Sequence, residues 1–163
     1  MSVDDQATLA ALEDLYRRRY PDFVRTAQAI ANGAEEGRDA VQEAFLSAVR
    51  RRRQFRGDGP IDAWVWRIVV NAAAKRRRDR DARDDVPELI WTDRDAGAFT
   101  EIRAAIGRLP ERQRLILFLR YYADLDYDTI AHATGVRTGT VGAELNAART
   151  SLARYLEAVT AHG

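Results

Sequence analysis

Between Leu109 and Leu156 the chain reads LPERQRLILFLRYYADLDYDTIAHATGVRTGTVGAELNAARTSLARYL, and its apolar residues recur at helical period in bursts too short to form one rod. Ile116, Leu119 and Leu125, then Ile130, then Val141, Leu145, Ala148 and Leu152 mark successive amphipathic stripes. Asp126 stands where an N-cap belongs, and Asp128 adds negative charge at the positive end of the next helix, which is predicted over about residues 127–134. Gly135 supplies a tight turn, Val136 plugs the junction, and a second helix is predicted over about residues 138–155. Two helices joined in this way form a helix-turn-helix, a motif that lays its second helix in a DNA groove.

The N-terminal half also shows helical spacing and no strand alternation. One helix is expected over about residues 8–31, with Leu12, Leu15, Tyr16, Phe23 and Ile30 inward, a break near Pro21 and an end at Asn32-Gly33. A second, over about residues 36–53, places Val41, Phe45 and Val49 at i, i+4 spacing and turns Asp39, Gln42 and Glu43 outward. A third, over about residues 61–80 after the FRGDGP turn, carries Trp64, Ile68 and Ala72 beside Val65, Val69 and Ala73. The fold class is therefore all-α, with two small helical domains.

Charge divides the chain further. Residues 1–80 hold 16 basic against 12 acidic side chains, residues 81–98 hold 2 against 6, and residues 99–163 hold 8 against 7. An acidic, Pro-containing linker over residues 81–98 is expected to tether domains at 1–80 and 99–163 and to let them engage separately. Leu89, Ile90 and Trp91 interrupt it with an apolar burst suited to docking on a neighbouring domain or a partner. Arginine-rich runs, Arg50 to Arg53 with Arg56 and Lys75 to Arg78 with Arg80 and Arg83, bracket the third helix as phosphate binding requires. Phe55, Trp64 and Trp66 lie among them and offer faces for stacking on unpaired bases, although Trp64 fits a core position better. Lys75 is the only lysine among 26 basic residues, so part of the arginine excess reflects a general compositional preference.

Other chemistry fails on spacing. Asp124, Asp126 and Asp128 imitate the start of a calcium loop, but Thr129 and Gly135 stand where glycine and glutamate are needed. His132 and His162 have no partner at ligand spacing, and without cysteine there is no thiolate site or disulfide. No metal, cofactor or catalytic constellation is expected, so the chain reads as a non-enzyme. The N-terminus has no basic-then-apolar leader and no segment approaches a membrane span, so a cytoplasmic protein without membrane insertion is expected.

Taken together, LYRRRYPDFVRTA, then GRDAVQEAFLSAVRRRRQFRGDGPIDAWVWRIVVNAAAKRRRDR, then LPERQRLILFLRYYADLDYDTIAHATGVRTGTV resemble the RNA polymerase sigma factors of the extracytoplasmic-function (ECF) group. The order DAVQEAF, F-x-G, W-x-x-R-I-x-x-N, LPERQR is specific where each motif alone is weak. The resemblance implies that Asp39, Gln42, Glu43 and Leu46 dock on clamp helices of the polymerase largest subunit. It implies that the loop over residues 54–60, with Arg53, Gln54, Phe55 and Arg56, captures a flipped base of the minus-ten element, and that Asn71, Arg76, Arg77 and Arg78 follow the adjacent strand. It further implies that the acidic linker occupies the polymerase cleft, and that Arg137, Thr138, Thr140, Glu144, Asn146 and Arg149 serve the helix-turn-helix at the minus-thirty-five element. The expected partners are core RNA polymerase, promoter DNA and an anti-sigma factor, with no cofactor.

The recognition helix departs from the family. Where members read like GTVKSRLHRAR, this chain reads GTVGAELNAAR over residues 139–149, leaving only Arg137 and Arg149 cationic. Glu144 repels phosphate unless it accepts from a cytosine amine, so promoter choice is expected to rest more than usual on the N-terminal domain. Two alternative functions remain at this stage: a free-standing dimeric helix-turn-helix regulator, and a polymerase-binding adaptor with weakened promoter reading.

Overall fold

The computed structural model describes residues 3–83 and 100–162, which form seven α-helices, one 3-10 turn and no strand. The helices are α1 Val3–Ala31, α2 Ala34–Arg50, α3 Ile61–Ala82, α4 Thr100–Arg108, α5 Glu111–Tyr121, α6 Tyr127–Thr134 and α7 Thr138–Ala161. Arg52–Gln54 form the 3-10 turn that follows α2. The linker's Leu89, Ile90 and Trp91, and the reading of the linker as a tether, fall outside the described residues.

The first three helices pack pairwise into one bundle. Leu12, Leu15, Phe23, Ala27 and Ile30 of α1 meet Ala40, Val41, Ala44 and Phe45 of α2 and Val65, Trp66, Val69 and Ala73 of α3, all buried. The expected break at Pro21 is absent, since α1 runs unbroken through it. Proline inside a helix costs about 3 kcal/mol. Apolar anchors lie on both sides of Pro21 in the same core, each worth roughly 1.5–3 kcal/mol, and Pro21 itself faces outward. Asn32, in the left-handed region at φ 54, ends α1 as the Asn-Gly pair predicts. Tyr16, expected inward, is 38% exposed and lies edge-on to Phe45.

The second bundle is built from α4 to α7. Asp126 caps α6 by accepting from the Thr129 amide at 2.7 Å. Gly135, at φ 72, ends α6 and turns the chain into α7, with Val136 packed against the core. Ile116, Leu119, Leu125, Ile130, Val141, Leu145 and Ala148 are buried as the stripes predict. The recognition helix continues past Tyr155 to Ala161.

The two halves also touch one another. α3 packs on α6 and α1 on α5. The end of α5 leaves carbonyls without helical partners, and α1 supplies donors for them: Arg19 Nη2 donates to Ala123 O at 3.0 Å and Arg25 Nη2 to Tyr122 O at 3.1 Å. At the far end of the seam Arg78 pairs with Glu111 at 2.8 Å.

Candidate polymerase and nucleic-acid interfaces

On α2, burial of Val41, Ala44, Phe45 and Ala48 fixes the opposite face outward. That face presents Asp39, Gln42, Glu43 and Leu46, the last 58% exposed. Beside it, α1 and α2 enclose an apolar groove of about 570 Å³ lined by Leu9, Leu12, Tyr16, Phe45, Leu46 and Val49. Arg76 reaches across from α3, 3.0 Å from Glu43 Oε2 and 3.8 Å from Asp39 Oδ2. The surface thus joins two carboxylates, one guanidinium and an uncovered leucine beside an apolar trough.

The second surface lies at the start of α3. Phe55 packs on Trp64 with ring centroids 5.5 Å apart at 47°. A groove of about 250 Å³ opens there, walled by Gln54, Phe55, Arg56, Asp58, Gly59, Pro60, Trp64 and Arg67, and His132 of α6 closes its far rim. Gly57 holds the loop at φ 73. From this groove Arg67, Asn71, Lys75 and Arg78 continue at spacings of three and four along the exposed side of α3. Trp66 points the other way. It is fully buried against Phe23 at 4.2 Å between centroids, so it offers no stacking face, and its Nε1 has no partner.

Several arginines of the basic runs are structural. Arg80 is buried: it donates to Asn32 O and pairs with Glu36 at 2.6 Å, locking the end of α3 to the α1–α2 turn and leaving nothing for a phosphate. Burial pushes the Glu36 carboxyl up, but the Arg80 bond, its own backbone bond and the Arg80 charge outweigh this and leave its pKa lowered. Arg52 pairs with Asp5 at 2.6 Å, and Arg53, 76% exposed, lies 3.7 Å from the same carboxylate. Arg77 is 17% exposed; burial lowers its pKa, the Asp81 and Glu111 charges oppose that, and Arg80 adds to it. Burial and the Arg77 charge likewise lower the pKa of Arg114.

On the helix-turn-helix, Arg137, Thr138, Asn146 and Arg149 are exposed, while Thr140 and Glu144 are half-buried. Arg149 donates through Nε and Nη2 to the Tyr121 hydroxyl at 3.0 and 2.6 Å. Glu144 lies 3.9 Å from Arg112. Thr138 donates to Asp128 at 2.9 Å across the turn, so Asp126 and Asp128 serve as a cap and a turn brace.

Residues 15–83 match the family description "Sigma-70 region 2", and residues 99–152 match "Sigma-70, region 4". The ECF RNA polymerase sigma factor SigM of Mycobacterium tuberculosis is 34% identical over 151 residues, spanning 90% of this chain and 77% of its own. This chain belongs to the ECF group of RNA polymerase sigma factors. RNA polymerase sigma factor SigV of Bacillus subtilis is 29% identical over 145 residues, spanning 86% of this chain and 87% of its own. Among solved structures, CnrH in complex with the cytosolic domain of CnrY shares the fold at TM-score 0.72 and 22% identity, covering 96% of this chain and 99% of that one. RpoE of Bartonella quintana, in complex with the anti-sigma factor NepR, does so at TM-score 0.70 and 20% identity, covering 89% and 96%.

The sigma factor directs promoter-specific transcription initiation, since regions 2 and 4 bind core RNA polymerase and recognise the minus-ten and minus-thirty-five elements. Sigma factors are not enzymes. No described helix is long and apolar enough to cross a membrane. Two residues on its surfaces have no role in the sequence reading: Arg67, which stands there only within a motif, and His132, which belongs to the groove rim; Lys75, read there as part of a phosphate-binding run, lies on the same face as Asn71. Same-face spacing from Asn71 finds Arg67 and Lys75. Nothing local finds His132, whose place at the groove depends on how the halves pack.

Proposed function

We propose that residues 1–80 form the polymerase-binding and promoter-melting domain, residues 81–98 the acidic linker through the polymerase cleft, and residues 99–163 the duplex-reading domain. Asp39, Gln42, Glu43 and Leu46 dock on the clamp helices of the polymerase largest subunit. The observation that carries this reading is the ion pairing of Glu43 and Asp39 with Arg76, because a surface that already receives a guanidinium suits a partner bearing arginines. The groove at Phe55 and Trp64, with Arg53, Gln54 and Arg56 at its edge, receives a flipped minus-ten base, while Asn71, Arg77 and Arg78 follow the strand. Arg76 serves the strand only after leaving Glu43. Arg137, Thr138, Thr140, Glu144, Asn146 and Arg149 face the minus-thirty-five duplex.

The protein works in the cytoplasm, contributes no catalytic group of its own, and is held in check by an anti-sigma factor. The complexes solved for related folds support that last partner, as does the apolar trough beside Leu46. The adaptor reading draws on one observation, the engagement of Arg149 by Tyr121 and of Glu144 by Arg112, which leaves few free contacts on the recognition helix. In vitro transcription with core enzyme separates the readings. Promoter-specific initiation on addition of this protein is expected; core binding without initiation selects the adaptor, and DNA binding without either selects a free-standing regulator.

A further inference from the structure

At one end the loop that walls the groove runs straight into α3, where Trp64 N donates to Pro60 O at 3.4 Å. Its other end leaves α2 through the Arg52–Gln54 turn, which makes one backbone bond to α2's end, Gln54 N to Arg51 O at 2.8 Å. What fastens this turn to the bundle is a residue from the opposite end of the domain. The side chain of Asp5, in the first turn of α1, is only 2% exposed, and Oδ1 lies 2.6 Å from Arg52 Nε. Its Oδ2 accepts from Arg52 Nη2 at 3.2 Å, so the carboxylate holds the guanidinium through one hydrogen bond and one close charge contact. Arg52 Nη1 donates onward to Val49 O at 2.7 Å, and Arg51 Nε to Gln54 Oε1 at 3.1 Å.

We infer that Asp5 is a positioning residue for minus-ten recognition, holding the Arg52–Gln54 turn on α1 so that Phe55 and Arg56 stand at the groove. This rests on the minus-ten role proposed above for that groove. A buried carboxylate needs its partner, since an unpaired charge in that setting is strongly disfavoured, and the pair therefore ties two segments 47 residues apart. The pair also withdraws one arginine from the run Arg50 to Arg53, because Arg52 is committed inward while Arg53 stays 76% exposed. Asp5 thus sets both the position of the loop and the number of cations offered to the backbone. Replacing it with a neutral group frees Arg52 for phosphate, which adds sequence-independent affinity while loosening the base-capturing loop.

The test uses full-length protein with core polymerase and a promoter that the wild-type holoenzyme has selected from a randomised library. Affinity is measured for that promoter and for one with a scrambled minus-ten element. Asp5→Asn is expected to lower the ratio of the two about tenfold or more, and to steepen the salt dependence of binding to the scrambled DNA by about one phosphate contact. Core binding and the penalty for a scrambled minus-thirty-five element are expected to stay unchanged, and Asp5→Asn with Arg52→Gln is expected to lose the added salt dependence. A ratio equal to wild type overturns the inference. So does a uniform loss of core binding, thermal stability and both promoter penalties, which identifies Asp5 as a fold-stabilising residue only. A wild-type holoenzyme that ignores the minus-ten sequence overturns the role of the groove instead, which keeps the two failures apart.

Discussion

At the scale of single residues, the recognition helix contains a weakness that the structure makes correctable. Gly142 lies in the interior of α7, where glycine costs roughly 1 kcal/mol relative to alanine. An added Cβ there meets only Tyr127 Cε2 at 3.6 Å, an ordinary contact. Gly142→Ala is therefore expected to stabilise the protein by about 0.5–1 kcal/mol, read from the midpoint of urea unfolding. Asp126 gives a second prediction. Its backbone and side-chain bonds to Thr129 hold its carboxyl below the usual range. A group lowered in this way stabilises the fold fully above its unfolded pKa, about 3.9, and that contribution is lost as pH falls through the lower folded value. Asp126→Ala is expected to cost about 1 kcal/mol near neutrality. Asn caps as well as Asp, so Asp126→Asn is expected to keep neutral stability and flatten the acid limb below about pH 4. Unfolding curves at both pH values measure the difference.

At the scale of elements, what could be read in sequence and what could not divide along one physical line. α6, its Asp126 cap and its Gly135 stop were legible because capping and left-handed turns are decided by neighbours in the chain. The continuity of α1 through Pro21 was not, because the core on either side overrides a local preference. Nor could the arginine runs be sorted by eye. Arg52 and Arg80 are tied inward by partners distant in sequence, Asp5 and Glu36, while Arg56 and Arg78 stay outside. The outer face of α2 was legible, since its inward stripe leaves Asp39, Gln42 and Glu43 one side only. Removing the charge with Asp39→Ala and Glu43→Ala is expected to weaken core binding about tenfold, ~1.4 kcal/mol, with helical content unchanged; pull-down titration and circular dichroism give the two readings. The recognition helix leads to the opposite expectation for DNA. With Arg149 engaged by Tyr121 and Glu144 near Arg112, scrambling the minus-thirty-five element is expected to cost initiation less than scrambling the minus-ten element. Abortive-initiation assays on the two altered promoters compare them, and a larger minus-thirty-five penalty rules this out.

At the scale of the whole molecule, the packing of α6 on α3 brings the groove at the start of α3 against the helix-turn-helix, the two surfaces proposed to face DNA. His132 stands over the groove at Phe55 and Trp64, and Arg67 lines both that groove and the turn at Gly135. At the edge of this seam the ion pair of Arg78 with Glu111 is exposed and worth only about 0.2–1 kcal/mol. Arg77 and Arg114 add mutual repulsion beside it. Glu111→Lys is therefore expected to open the protein, raising its radius of gyration in small-angle scattering above the roughly 15 Å of a compact chain this long. The effect is expected to be greatest at low salt, where repulsion is least screened.

Trp64 sits at this seam while Trp66 is sealed beneath it, and that difference gives the protein an optical reporter of its own. In a Trp91→Phe background the emission of Trp66 stays constant in a closed core, and the Trp64 signal shifts to longer wavelength as water reaches its indole. Stacking of a nucleobase on the same ring dims it instead. Parting of the halves and capture of a base thus leave different spectral traces in the unlabelled chain.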